Sequence, residues 1–247
     1  MKSAVEKSGT FWEHLDELRS CLFRIAIAIV GLGMLTFFFK EELFRIVLAP
    51  KSSDFITYRL FHVSFFDIHL MNIGLTEQFM IHLKTSLYVG LLLASPYMLY
   101  QVFRFVSPAL YSNERKYAIW IVGSAYIMFM FGNLLNYYLI FPFTLKFLGT
   151  YQVSNDVANM LTLQSYMDSF FILSLTIGIV FELPVVSWIL GKMGLINKQM
   201  MRQYRRYAIV LIMIVAAIIT PTTDAFTLLI VSIPIWLLYE LSVLIVR

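Results

Sequence analysis

Residues Thr10–Phe39 read TFWEHLDELRSCLFRIAIAIVGLGMLTFFF. The first half is acidic and amphipathic; the second is an apolar run close to the roughly 20 residues that an α-helix needs to cross a bilayer core of about 30 Å. Thr10-x-x-Glu13 fits a capping box that starts a helix. Phe11, Leu15, Leu18 and Leu22 recur at helical spacing as one apolar stripe. Glu13 and Glu17 lie four residues apart on the opposite side, with Asp16 and Ser20 beside them. The stretch therefore predicts an amphipathic lead-in helix that delivers a carboxylate face to the membrane surface, followed by the first span.

The rest of the chain extends this reading. Of its 247 residues 60% are hydrophobic and 14% charged, with a mean hydropathy of +0.77. Soluble domains are about 45–50% apolar and about 25% charged, so the composition predicts an all-α, multi-pass membrane protein. Candidate spans are 22–39, 78–103, 117–141, 167–190, 207–220 and 226–245. Together they make a single six-span membrane domain with short fifth and sixth spans. The fifth is about 21 Å of helix at 1.5 Å per residue, and the turn Thr220–Asp224 folds it against the sixth as a hairpin. The first run reads as a retained span rather than a signal peptide, because no small-residue cleavage site follows it.

Basic residues orient the spans. If both termini and the 104–116 and 191–206 loops face the cytoplasm, thirteen of the 19 Lys and Arg lie there, leaving Lys40, Arg45, Lys51, Arg59, Lys84 and Lys146 elsewhere. That bias predicts an N-in, C-in topology. The long loop 40–77 carries Phe, Tyr and Ile with few glycines, which predicts order; its turn signals are Ala49-Pro50 and Ser52-Ser53-Asp54.

Few polar residues call for chemistry. One cysteine, Cys21, excludes an internal disulfide or a multi-cysteine metal site. The four histidines show no ligand spacing, and no nucleophile–base set, phosphate loop or nucleic-acid-binding tract is present; neither metal nor cofactor is expected. For the acidic face of 10–24, one reading is a solvated surface beside a span. Against it, like charges at i, i+4 repel and acids near anionic headgroups are unfavourable; a cationic partner relieves both. Glu114, the one acid in the loop Ser107–Lys116, reads either as a partner for Arg115, Lys116 or Arg104 or as a second carboxylate for such a ligand. Glu182 lies inside the fourth span, where an ionisable group is a functional candidate by default, and Pro184 removes a backbone donor there and bends the helix. The competing reading of Glu182 is a protonated acid bonded to a neighbouring helix. Asp156 and Asp224 stand near helix starts and read as N-terminal caps.

Several motifs in one order resemble the TatC family, the multi-spanning receptor of the twin-arginine protein translocase. They are His14-Leu15-x-Glu17-Leu18-Arg19; Ala94-Ser95-Pro96 with Tyr100-Gln101; Phe105 and Pro108-Ala109-Leu110-Tyr111 through Glu114-Arg115; Tyr137 and Phe141-Pro142; Phe181-Glu182-Leu183-Pro184; and Thr220-Pro221 before Asp224. The chain departs from the family pattern at Ser20-Cys21, at Thr222-Thr223 and at Thr227-Leu228.

The resemblance implies a non-enzymatic receptor in a prokaryotic cytoplasmic membrane. Its ligands would be the signals of folded cargo, each carrying two consecutive arginines. It implies Glu17 and Glu114 as the arginine-pair site, Glu13, Asp16 and Phe105 as flanking contributors, and Arg19 as a residue that steadies the acidic face. It implies an intramembrane groove at Glu182 and Pro184, and structural roles on the outer face and in the helices for Pro50, Pro96, Tyr137, Asp156 and Asp224. Implied partners are TatA- and TatB-type single-span subunits docking around spans five and six, further copies of the chain, and lipid, with transport driven by the proton-motive force. Two rival classes are a small-solute secondary transporter cycling protons on Glu182, which should show repeated halves, and an intramembrane enzyme, which needs a paired nucleophile and base. The sequence shows neither.

Overall fold

A computed structural model describes residues 11–63, 65–66, 68–106, 118–151, 160–220 and 224–246. Glu114, Asp156 and Pro221 lie outside them. The lead-in helix and the first span are one continuous helix, α1 (Phe11–Phe37), because nothing between Arg19 and Leu22 breaks the backbone. α1 packs along α4 (Glu77–Val106), and small residues set how closely. A Cβ built on Gly90 would lie 2.5 Å from the Gly33 nitrogen and 2.8 Å from the Ile29 carbonyl oxygen. Thr36 Oγ1 donates to the Ser86 carbonyl across the same crossing at 2.9 Å. Lipid tails are as apolar as leucine, so such close backbone packing and interhelical hydrogen bonds, rather than the hydrophobic effect, hold spans together. Pro96 sits inside α4 without ending it. The proline has no N–H for the Leu92 carbonyl, and Ser95 Oγ donates to that oxygen instead, at 2.6 Å.

The third span outruns its expected end. α5 (Ala118–Leu135) passes through a π-helical turn (Asn136–Ile140) into α6 (Phe141–Thr150). Pro142 lies in the first turn of α6, and the Tyr138 carbonyl that its missing N–H would serve accepts from Thr57 Oγ1 instead. The fourth span is broken: α7 (Leu163–Val180) stops, Phe181-Glu182 form a turn, and α8 (Leu183–Lys192) restarts with Pro184 in its first turn. A short α9 (Lys198–Gln203) leads into α10 (Arg205–Ile219) and α11 (Ala225–Ile245). Asp224 Oδ1 caps α11 by accepting from the Thr227 N–H at 2.7 Å. α11 has 21 residues and is not short; its apolar run begins directly at the cap, so no residues are lost to a polar first turn. Among the described residues, five helices, within Trp12–Phe37, Glu77–Val106, Ile119–Thr150, Leu163–Lys192 and Ala225–Ile245, are long and apolar enough to cross a membrane, and α10 has 15 residues.

At the end away from Glu17, the loop expected to be ordered forms a cap of α2 (Lys40–Val47), a 3-10 turn (Ala49–Lys51) and α3 (Ile56–Leu60). Three tyrosines tie it to the spans. Tyr58 shares its one O–H between the Pro50 and Pro142 carbonyls, 3.0 and 2.9 Å away, while Tyr137 donates to Ile46 at 2.8 Å and Tyr166 to Val47 at 2.8 Å. Burial raises the pKa of the Tyr58 hydroxyl above its ordinary value, which keeps it a donor. A two-residue parallel ladder, β1 (Leu70–Met71) with β2 (Leu161–Thr162), joins the two cap-side loops. Glu77 accepts from the Gly74 and Gln164 N–H groups at 2.9 and 3.0 Å, linking the starts of α4 and α7.

Candidate functional site

The opposite end, here the N-terminal face, carries the acidic stretch. The α1–α4 pairing brings Glu17, Ser20, Cys21 and Arg24 of α1 against Gln101, Arg104 and Phe105 of α4 around a cleft of about 450 Å³. The His14 ring stacks on Phe105, centroids 5.0 Å apart and planes inclined by 29°. That contact fixes the two helix ends in register, 91 residues apart in sequence. His14 Nδ1 also lies 3.5 Å from Glu17 Oε2, with the Glu17 side chain 66% exposed. An exposed pair at this distance is worth about 0–1 kcal/mol, so Glu17 is available to a better-matched cation.

The helix turn separates residues that the sequence groups. Successive residues are about 100° apart, so Asp16 and Arg19 turn away from Glu17. They pair with each other at 3.5 Å, and Arg19 borders a shallow groove formed by Leu15, Leu18, Leu22, Phe23 and Ala26. Glu13, one turn before Glu17, is exposed on the cleft side. Of the predicted signal-site residues, Glu17 and Phe105 therefore meet, Glu13 flanks them, and Asp16 and Arg19 lie on another face. Arg24, Gln101 and Arg104 line the cleft and His14 stacks on its Phe105 wall, roles that the sequence did not signal. His14 stood in the motif, but its partner is on a different helix.

Deeper in the protein, Glu182 opens into an apolar groove of about 420 Å³ between α4, α5 and α8, lined by Leu99, Phe103, Ile121, Val185 and Ile189 among others. It is the single ionisable group among the lining residues, and its Oε1 is buried with no hydrogen-bond partner among the described residues. The break at Phe181-Glu182 places it there: the turn before Pro184 releases the side chain from the α7 face. Among the described residues, no three His, Cys, Asp or Glu side chains are grouped to hold a metal ion.

Residues 13–234 match the family model for Sec-independent protein translocase protein (TatC). The chain belongs to the TatC family. It is 34% identical to the TatC of Koribacter versatilis, over 96% of this chain and 84% of that one. With the TatC of Aquifex aeolicus the identity is 35%, over 94% and 92%. A crystal structure of the twin-arginine translocase receptor TatC superposes with a TM-score of 0.78 at 34% identity, covering 94% of this chain and 97% of that one. A second, in DDM, gives 0.80 at 33%. As a TatC-family protein with several membrane-spanning helices, the chain is a multi-pass membrane component of the Tat protein-transport system.

Proposed function

We propose that this TatC-family chain binds the arginine-pair signal of folded cargo between Glu17 and Glu114, at the cytoplasmic face of a prokaryotic inner membrane. The observation that carries the reading is Glu17 beside Phe105 in a cleft whose α4 wall runs directly into residues 107–117. The described cleft alone holds one carboxylate with Arg24 and Arg104, too little negative charge for two guanidinium groups. A second carboxylate is needed, and Glu114 follows Phe105 by nine residues. One arginine forks onto Glu17 and the other onto Glu114. Bidentate guanidinium–carboxylate pairs supply direction that a lysine cannot match.

In this reading α10 is the short fifth of six spans, both termini are cytoplasmic, and the basic residues favour that orientation. The apolar part of the signal lies along the groove of Glu182, with Pro184 holding the bend. TatA- and TatB-type subunits dock around the α10–α11 hairpin, further copies complete the assembly, and the proton-motive force drives a transport step that the chain does not catalyse as an enzyme.

Cell-based export of an arginine-pair reporter tests the site. Glu114→Ala is expected to reduce export at least tenfold with the protein still inserted at normal abundance, and Glu17→Ala to reduce it less. Normal export in Glu114→Ala removes the assigned site; a larger loss in Glu17→Ala reverses the ranking.

A further inference from the structure

We infer that the cargo signal passes over the Val106 end of α4, and that this chain therefore selects signals with a spacer between the arginine pair and the apolar segment. The inference rests on the proposed signal site and adds a length requirement to it. Two sets of α4 side chains carry it. Gln101, Arg104 and Phe105 line the acidic cleft shared with α1. Leu99, Val102, Phe103 and Val106 line the apolar groove shared with α5 and α8. Successive helical residues are about 100° apart, which sets the second group roughly 150° round the helix from the first. The two subsites thus lie on opposite sides of one helix, near the same end of it.

A route through the bundle is closed. α4 is unbroken from Glu77 to Val106, Pro96 included. A strand laid across it inside the bilayer would leave its N–H and C=O groups without partners. The path over the end of the helix is open to both subsites. The α4 wall of the groove ends at Val106 and its α8 wall at Met193, while Leu99, Ala125 and Glu182 stand at its deep end. From Val106 to Leu99 is seven residues, about 10 Å. An apolar helix that enters past Val106 therefore meets Glu182 after about two turns. With its side chains a helix is about 10–12 Å across, and an extended chain covers at most about 3.3–3.6 Å per residue. The crossing thus takes at least about three or four residues of signal. A signal whose apolar segment abuts the pair can fill the cleft or the groove, not both.

Arginine-pair peptides that differ only in a neutral spacer of zero, two, four or six residues test this on the detergent-purified protein. Each carries a benzophenone side chain in its apolar segment. Fluorescence anisotropy, with and without Glu17→Lys, reads the arginine-pair site; mass-spectrometric mapping of the photo-crosslinks reads the groove. With four or six spacer residues, crosslinks are expected on groove residues such as Leu99, Val186 and Met193. With zero or two they should fall there at least about fivefold, while Glu17→Lys still weakens binding of every peptide. Equal groove labelling by the shortest and longest spacers overturns the crossing, and so does a groove left unlabelled at every length; in both cases a retained effect of Glu17→Lys leaves the arginine-pair site standing. Binding indifferent to Glu17→Lys at every length removes that site, and the crossing with it.

Discussion

Gly90→Ala is expected to separate α1 from α4 and, with them, the two halves of the cleft. The added carbon would fall 2.5 Å and 2.7 Å from the nitrogen and Cα of Gly33 and 2.8 Å from the Ile29 carbonyl oxygen. These are backbone atoms and cannot rotate aside, so the helices must move apart. Overpacking of this kind costs about 1–3 kcal/mol, outweighing the roughly 1 kcal/mol by which helix propensity favours alanine. The displacement also breaks the Thr36–Ser86 bond and loosens the His14–Phe105 stack. Thermal unfolding in detergent should show a lowered midpoint, and signal-peptide affinity should fall about tenfold or more. Gly31→Ala is the matched control, because a Cβ there meets nothing within 4 Å; it should leave both unchanged or slightly improved. If the two variants behave alike, the crossing does not hold the site together.

Glu17→Lys is expected to weaken signal-peptide binding at least a hundredfold. Glu17 is the acid among the lining residues of a cleft that also presents Arg24 and Arg104. Reversal leaves three cations facing an arginine pair, at separations where each like-charge contact costs up to about 4 kcal/mol near a protein surface. High salt should recover part of the loss, since exposed charges are screened. Asp16→Ala should change affinity less than threefold, because Asp16 pairs with Arg19 away from the cleft. A comparable loss from Asp16→Ala would place the acidic stretch as a diffuse field rather than a site.

What the sequence made legible follows from the range over which each signal acts. Span-length apolar runs are local signals, and helices cover them, the run at 167–190 as the two helices α7 and α8. Pro184 announced the break at Phe181-Glu182, because a missing N–H is a local fact. The π-helical form of Asn136–Ile140, inside the expected third span, was not legible: a π turn depends on what the widened backbone meets, and Asn136 Nδ2 finds Ser174 Oγ at 2.7 Å on another helix. The strands β1 and β2 are two residues each, too short for any periodicity. In the site, helical spacing placed Glu13 and Glu17 together, and the same spacing applied to Asp16 and Arg19 would have set them apart. His14 and Arg104 needed the α1–α4 crossing, which Gly33 and Gly90 determine across 57 residues.

The proposed recognition of two arginines by paired carboxylates at the N-terminal face depends on geometry as well as charge. Its most direct test is equilibrium binding of a fluorescently labelled Arg-Arg signal peptide, beside its Lys-Lys counterpart, to the detergent-purified protein and to Glu114→Ala. At least tenfold tighter binding of the Arg-Arg peptide is expected, with that preference lost in the variant. Equal affinity of the two peptides for the unaltered protein would contradict it, and would leave the acidic face as unselective charge.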